Sequence, residues 1–284
     1  MTTFTTSDGC EIDYRVDGPA GAAGTPADTL VLLHGWSQSR AMFDRALPTL
    51  SRDVRVVTYD QRGHGESAKP DHGARIARLA GDLRELLDHL QIAEAHLGGH
   101  SMGASVLWSF IDLYGTGRIR SLIIVDQPSA CVVLPWMAAG EGAQAGAILD
   151  FPAAEGFVRA IAEDDRATRD GFLKSMLTPD IPDDDLAWLG TENLKLPAPW
   201  GARLLLDHVM QDWRDVLPRI DVPTLVLAGE VSHVAPESQA WTAGQIKGAR
   251  LRTFTKEEGG SHFPFFEEPA AFCQEVSAFV AGRA

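Results

Sequence analysis

The sequence predicts an α/β fold with a mostly parallel central sheet, flanking helices and an inserted helical segment, and three observations predict it. Short apolar runs rich in β-branched residues alternate with longer amphipathic stretches, the pattern of strands joined by crossover helices. That rhythm stops after Asp126 and resumes only near residue 220. In the gap, helical pieces divided by Pro and Gly carry Trp136, Trp188, Trp200 and Trp213, four of the seven tryptophans. The core is therefore expected over 1–128 and 220–284, with a helical cap over 129–219.

The elements follow in chain order. Thr3 to Thr6 and Glu11 to Val16 alternate around the turn Ser7-Asp8-Gly9, which reads as a hairpin and an antiparallel edge. Strands are expected at Thr29 to His34, Val54 to Thr58, Ala95 to Gly99, Ser121 to Asp126, Pro223 to Ala228 and Arg250 to Thr255. Helices fit between them at Ser39 to Leu50, Arg75 to Leu90, Met102 to Tyr114, Pro236 to Ile246 and Pro269 to Val280. The second is the clearest, with Ile76, Leu79, Leu83, Leu86, Leu87 and Leu90 on one face.

Composition narrows the function. The chain has 284 residues, 45% of them hydrophobic, enough to bury a large core. A net charge of -14 with no Lys/Arg cluster repels phosphate backbones and anionic lipid, so no nucleic acid or membrane partner is expected. The start lacks a basic and apolar leader, no window has the roughly 18 apolar residues of a membrane span, and Cys10, Cys131 and Cys273 form no CxxC pair. A cytoplasmic enzyme with reduced thiols is the expectation.

Chemistry enters at Gly99-His100-Ser101-Met102-Gly103, a GxSxG between an expected strand and an expected helix. Flanking glycines permit a turn sharp enough to lift the serine hydroxyl above the sheet, and the helix start behind it favours developing negative charge. His34-Gly35-Trp36 ends an earlier strand, so the N–H groups of Trp36 and Met102 fit the two donors an oxyanion hole needs. A serine hydroxyl needs a base, and His262, in the Gly-rich loop Glu258 to Pro264, is the strongest candidate. A carboxylate must then fix the imidazole. Asp126, closing Leu122-Ile123-Ile124-Val125, is well placed, with Glu230 in reserve; His233 reads as a satisfied loop histidine.

HGW at 34–36, DQRGHGES at 60–67, GHSMG at 99–103 and SHF at 261–263 together resemble the α/β-hydrolase superfamily, in order and spacing over nearly the whole chain. The resemblance implies an α/β-hydrolase fold, a cap that sets substrate choice, and a Ser101–His262–acid triad. It makes Asp60 to Ser67 a structural loop, so Arg62 and His64 are expected to be turn residues. Most relatives carry an aspartate where this chain has Ser232; some keep their acid after the earlier strand, as Asp126 would be.

The expected activity is hydrolysis of a carboxylic ester or lactone by acyl transfer. Candidate substrate contacts are His100, Trp136, His208 and Phe263, and Phe151, Phe157 and Phe172 point to an apolar, aromatic ligand. No cofactor or metal is expected, since HExxH, clustered Cys/His and a strand-following GxGxxG are all missing from the sequence. The acidic runs Glu163 to Asp165 and Asp183 to Asp185 read as solvated helix ends. The expected partner is a small-molecule substrate, with homodimerisation left open. Three rivals share the resemblance: a cofactor-independent dioxygenase of hydroxyquinolone type using the His–Asp dyad, a perhydrolase of the non-heme haloperoxidase kind, and a non-catalytic receptor.

Overall fold

A computed structural model describes residues 2–22, 25–26 and 28–282. Ten strands are described: β1 (Thr2–Thr5), β2 (Glu11–Asp17), β3 (Gly21–Ala22), β4 (Thr25–Pro26), β5 (Thr29–Leu33), β6 (Arg55–Tyr59), β7 (Ala95–His100), β8 (Ile119–Val125), β9 (Thr224–Gly229) and β10 (Arg250–Phe254). Eight form one sheet in the order β1-β2-β6-β5-β7-β8-β9-β10, and β3 and β4 form a separate ribbon. β2 pairs antiparallel with both β1 and β6, while every pair from β6 to β10 is parallel. The mixed edge is where the hairpin pattern placed it.

The parallel strands are apolar on both faces because helices cover both. In β5, Val31 and Leu33 join one core cluster and Leu30 and Leu32 the other. The first cluster takes in α2 (Ile76–His89) and α3 (Met102–Tyr114); the second includes Phe272 and Val276. Each fully buried Leu, Ile or Phe contributes roughly 1.5–3 kcal/mol of transfer free energy, so the helix faces alone go far to fix the layers.

The single helix expected from Ser39 to Leu50 is instead a 3₁₀ turn, Arg40–Phe43, followed by a one-turn helix α1 (Leu47–Leu50). Pro48 explains the break, since its ring nitrogen has no proton for the carbonyl four residues back. Between β8 and β9 come α4 (Glu141–Ala145), α5 (Phe151–Ala162), α6 (Arg166–Ser175), α7 (Asp183–Asn193) and α8 (Ala198–Val209). The chain returns to its point of departure through Trp213 N–H, which donates to Ser129 O at 2.9 Å. Beyond β9 lie α9 (Pro236–Gln245), α10 (Pro264–Glu267) and α11 (Pro269–Val280). Among the described residues no helix is long and apolar enough to cross a membrane.

Candidate active site

Ser101 sits in the bend between β7 and α3 with φ 52° and ψ -126°, a conformation a non-glycine residue adopts only under constraint. The constraint is visible. Ser101 N–H donates across the sheet to Val125 O at 2.9 Å, and Ser101 O accepts from Ala104 N–H at 2.8 Å. A Cβ on Gly99 would stand 2.5 Å from the Gly103 backbone, and one on Gly103 would stand 2.5 Å from Leu33 O. The two glycines thus allow strand, bend and helix to close on one another, and Ser101 is left half-buried at the carboxyl edge of the sheet.

The loop after β5 packs against that bend, where a Cβ on Gly35 would lie 3.0 Å from Ser101 Cβ. Gln38 Oε1 accepts from Gly35 N–H at 3.0 Å and holds the loop's shape. Met102 occupies the first helical position, where an N–H has no intrahelical acceptor. Trp36 follows Gly35 in that loop and Met102 follows the serine, so their N–H groups are the candidate donors beside it. Trp36 is anchored by its indole N–H, which donates to Gly201 O at 3.0 Å.

His262 and Asp126 come from loops after β10 and β8, yet they meet: the ring Nδ1 donates to Asp126 Oδ2 at 2.6 Å, and both side chains are almost completely buried. This leaves Nε2 as the nitrogen able to take a proton. Asp126 itself has φ 52° and is held by its N–H on Leu227 O at 2.9 Å. Glu230 is exposed and accepts from Lys256 N–H at 3.0 Å, so it does not serve the imidazole.

Ser101 and His262 border one narrow cavity of about 50 Å³. Its other walls include Trp36, Phe157, Phe172, Leu205, His208 and His233. Two wider surface depressions, one around Asp180 and Lys256 and one around His72 and Arg203, include none of these groups.

Of the four residues expected to touch substrate, His208 borders this cavity and three do not. His100 is buried beneath it, its Nε2–H donating to His262 O at 2.8 Å and its Nδ1 3.1 Å from the Gln38 amide, so it orients the histidine loop. Phe263 is fully buried against the His100 and His262 rings. Trp136 is 67% exposed, with its indole N–H on Asp212 at 3.3 Å. Phe151 is likewise exposed. None of the three lies in a helix: His100 ends β7, Trp136 stands in a turn before α4 and Phe263 just before α10, and a ring at such a place carries no sequence sign of which way it faces.

His208 is buried; its Nδ1 has no partner among the described residues, and burial pushes its pKa down to about 4. His233 is not the satisfied loop residue expected. Its ring lies 4.5 Å from that of His262, its Nδ1 is buried without a partner among the described residues, and burial drives its pKa far below the usual histidine range. Ser232 was also missed as a contributor: its hydroxyl donates to Asp126 Oδ2 at 2.5 Å. The only sequence signal was a small hydroxyl residue where relatives carry a carboxylate.

The 60–67 loop is structural in its contacts. Arg62 is fully buried and paired with Asp82 at 2.7 Å and Asp8 at 2.8 Å, and Asp60 accepts from Arg40 N–H and Glu66 N–H. Asp165 caps α6, and Asp183 to Asp185 form the first turn of α7; no group of His, Cys, Asp or Glu among the described residues is arranged to hold a metal.

Comparison with known proteins adds independent information. Residues 28–269 match the family model described as alpha/beta hydrolase fold. The chain is 30% identical to a non-heme chloroperoxidase of Streptomyces lividans, with 99% of each chain covered. It is 29% identical to 3-oxoadipate enol-lactonase 1 of Acinetobacter baylyi, over 98% of this chain and 96% of that one. An esterase from Rhodococcus sp. ECU1013 superposes with a TM-score of 0.79 at 26% identity, over 100% of this chain and 99% of that structure.

Proposed function

The chain belongs to the alpha/beta hydrolase fold family, and on that premise we propose that it is a serine hydrolase cleaving a carboxylic ester or lactone of a small apolar substrate. One observation carries the reading: His262, whose Nδ1 donates to Asp126 at 2.6 Å, lines the same cavity as Ser101. A buried carboxylate on Nδ1 fixes the tautomer, so that Nε2 is the basic nitrogen, and stabilises the imidazolium once formed.

The chemistry is a two-step acyl transfer. Ser101 Oγ bonds to the substrate carbonyl carbon as its proton passes to His262 Nε2, and the carbonyl π electrons move to oxygen, held by Trp36 and Met102 N–H. The tetrahedral carbon expels the alkoxide, which takes the proton from Nε2. Water then adds to the acyl carbon with His262 as base, and Ser101 departs with the proton as the acid is released. Segment 129–219 acts as the cap, supplying Phe157, Phe172, Leu205 and His208 to the cavity. The test is a fluorophosphonate probe with peptide mapping: stoichiometric labelling at Ser101, lost in Ser101→Ala, is expected, and an unlabelled folded protein would overturn the nucleophile.

A second reading is favoured by the acid's place after β8 and by the aromatic walls Trp36, Phe157 and Phe172. In it His262 takes the hydroxyl proton of a hydroxyquinolone-type ring that molecular oxygen then cleaves, and Ser101 only hydrogen-bonds. Oxygen uptake with a 3-hydroxy-4-quinolone that survives in Ser101→Ala would establish it over ester hydrolysis.

A further inference from the structure

The carboxylate that holds His262 is itself held, and the residue that does so follows β9. Asp126 Oδ2 takes two short bonds, from His262 Nδ1 at 2.6 Å and from Ser232 Oγ at 2.5 Å; among the described residues Oδ1 has only the distant Gly229 N–H at 3.4 Å. Ser232 Oγ also accepts from Val234 N–H at 3.1 Å. That bond occupies a lone pair of the hydroxyl and turns its proton toward the aspartate. A buried, ionised carboxylate with so few partners depends on each one.

We propose that Ser232 is a positioning residue of the triad: its hydroxyl locks the Asp126 oxygen that orients His262. The loop has a double task, because the next residue, His233, packs its ring on His262 and walls the cavity.

This rests on Ser101, His262 and Asp126 acting as proposed above, and the experiment separates the two. Acylation of the whole protein by the fluorophosphonate probe is followed for wild type, Ser101→Ala, Ser232→Ala and Ser232→Thr, with kcat and KM on p-nitrophenyl acetate across pH. Loss of a hydrogen bond to a charged group predicts roughly a tenfold slower acylation and lower kcat in Ser232→Ala, at unchanged KM. Ser232→Thr keeps the hydroxyl and is expected near wild type. The acidic limb of kcat/KM should also rise in pH in Ser232→Ala, because the hydroxyl dipole no longer offsets the Asp126 charge felt by the imidazolium. The other titratable groups facing that ring, His100 and His233, are held neutral by burial and add no competing charge.

A Ser232→Ala variant that acylates at the wild-type rate with an unchanged pH profile overturns the proposal. Should that variant fail to fold, Ser232→Cys decides, since it keeps the size of the side chain with a weaker donor: slower acylation with the acidic limb moved up in pH supports the proposal, and a folded Ser232→Cys at the wild-type rate and pH profile overturns it. If Ser101→Ala still reacts at wild-type rate, the triad reading has failed instead.

Discussion

Gly103 and Gly156 both lie within helices, yet only one has room for a side chain. A Cβ on Gly103, in α3, would strike Leu33 O at 2.5 Å, whereas one on Gly156, in α5, meets nothing within 4 Å. The contrast extends to the regions around them. α3 buries every residue from Met102 to Ile111, while α5 buries only Ala154 and Ile161. The reactive groups thus stand where backbone register and close packing leave one arrangement. The cavity's far wall draws on α5, which is largely exposed, and on α8, which is mostly buried.

The two regions meet at the loop after β5. Ser37 Oγ donates to Asn193 O at 2.9 Å, Ser39 Oγ donates to Glu192 Oε2 at 2.6 Å, and buried Arg169 donates to Ser37 Oγ at 3.1 Å. The helical segment therefore grips the same short loop that presents Trp36 N–H. His262 N–H on Met176 O at 3.1 Å is a second point of contact.

The largest effect that separates the regions is kinetic. Ser101→Ala and His262→Ala should each lower kcat/KM for an ester by roughly 10⁴–10⁶, whereas Phe157→Ala should chiefly raise KM, as initial rates across an ester series of growing size would reveal. Equal losses from both would erase the division of labour. Next comes packing: Gly103→Ala should cost about 3 kcal/mol or more, read as a lower urea midpoint at unchanged slope.

His208 gives a pH test of the cavity wall. Burial holds its folded pKa down to about 4, below its unfolded value, so the unfolded chain binds the extra proton between those limits. The contribution of His208 is neutral above the unfolded pKa and becomes destabilising as pH falls toward the folded one. His208→Leu should therefore reduce the stability lost between pH 7 and 5 by about 2 kcal/mol, measured by urea titration at both pH values. An unchanged loss would mean the imidazole is not held neutral. The smallest effect has the opposite sign: Gly156→Ala should stabilise by about 0.5–1 kcal/mol, since helix propensity improves and nothing is displaced. A destabilised variant would show that α5 is packed as tightly as α3.

Legibility in the sequence followed the same boundary. Strand runs and the elbow glycines could be read, and Ser101, His262 and Asp126 picked out as candidates, because each stands at a feature local to the chain: a strand end, a sharp turn, a helix start. Ser232 and His233 could not, since their roles depend on loops after β8, β9 and β10 converging. The helix expected over 39–50 failed for a local reason, Pro48, that periodicity had masked. Trp136 and His100 were misplaced because an aromatic or imidazole ring looks the same in a sequence whether it faces a cavity, a core or water.

By itself, then, the sequence determined the order of elements and the two-sided burial of the parallel strands, and it singled out Ser101 and His262 as the candidate nucleophile and base, because alternation and turn chemistry act over a few residues. Only the tertiary structure decided which carboxylate meets His262, which serine secures it, and that one histidine of the helical segment reaches the cavity. Asp126 and His262 are 136 residues apart. Their 2.6 Å bond exists because parallel strands in one sheet bring the loops at their carboxyl ends to a single edge, a relation that no local pattern encodes.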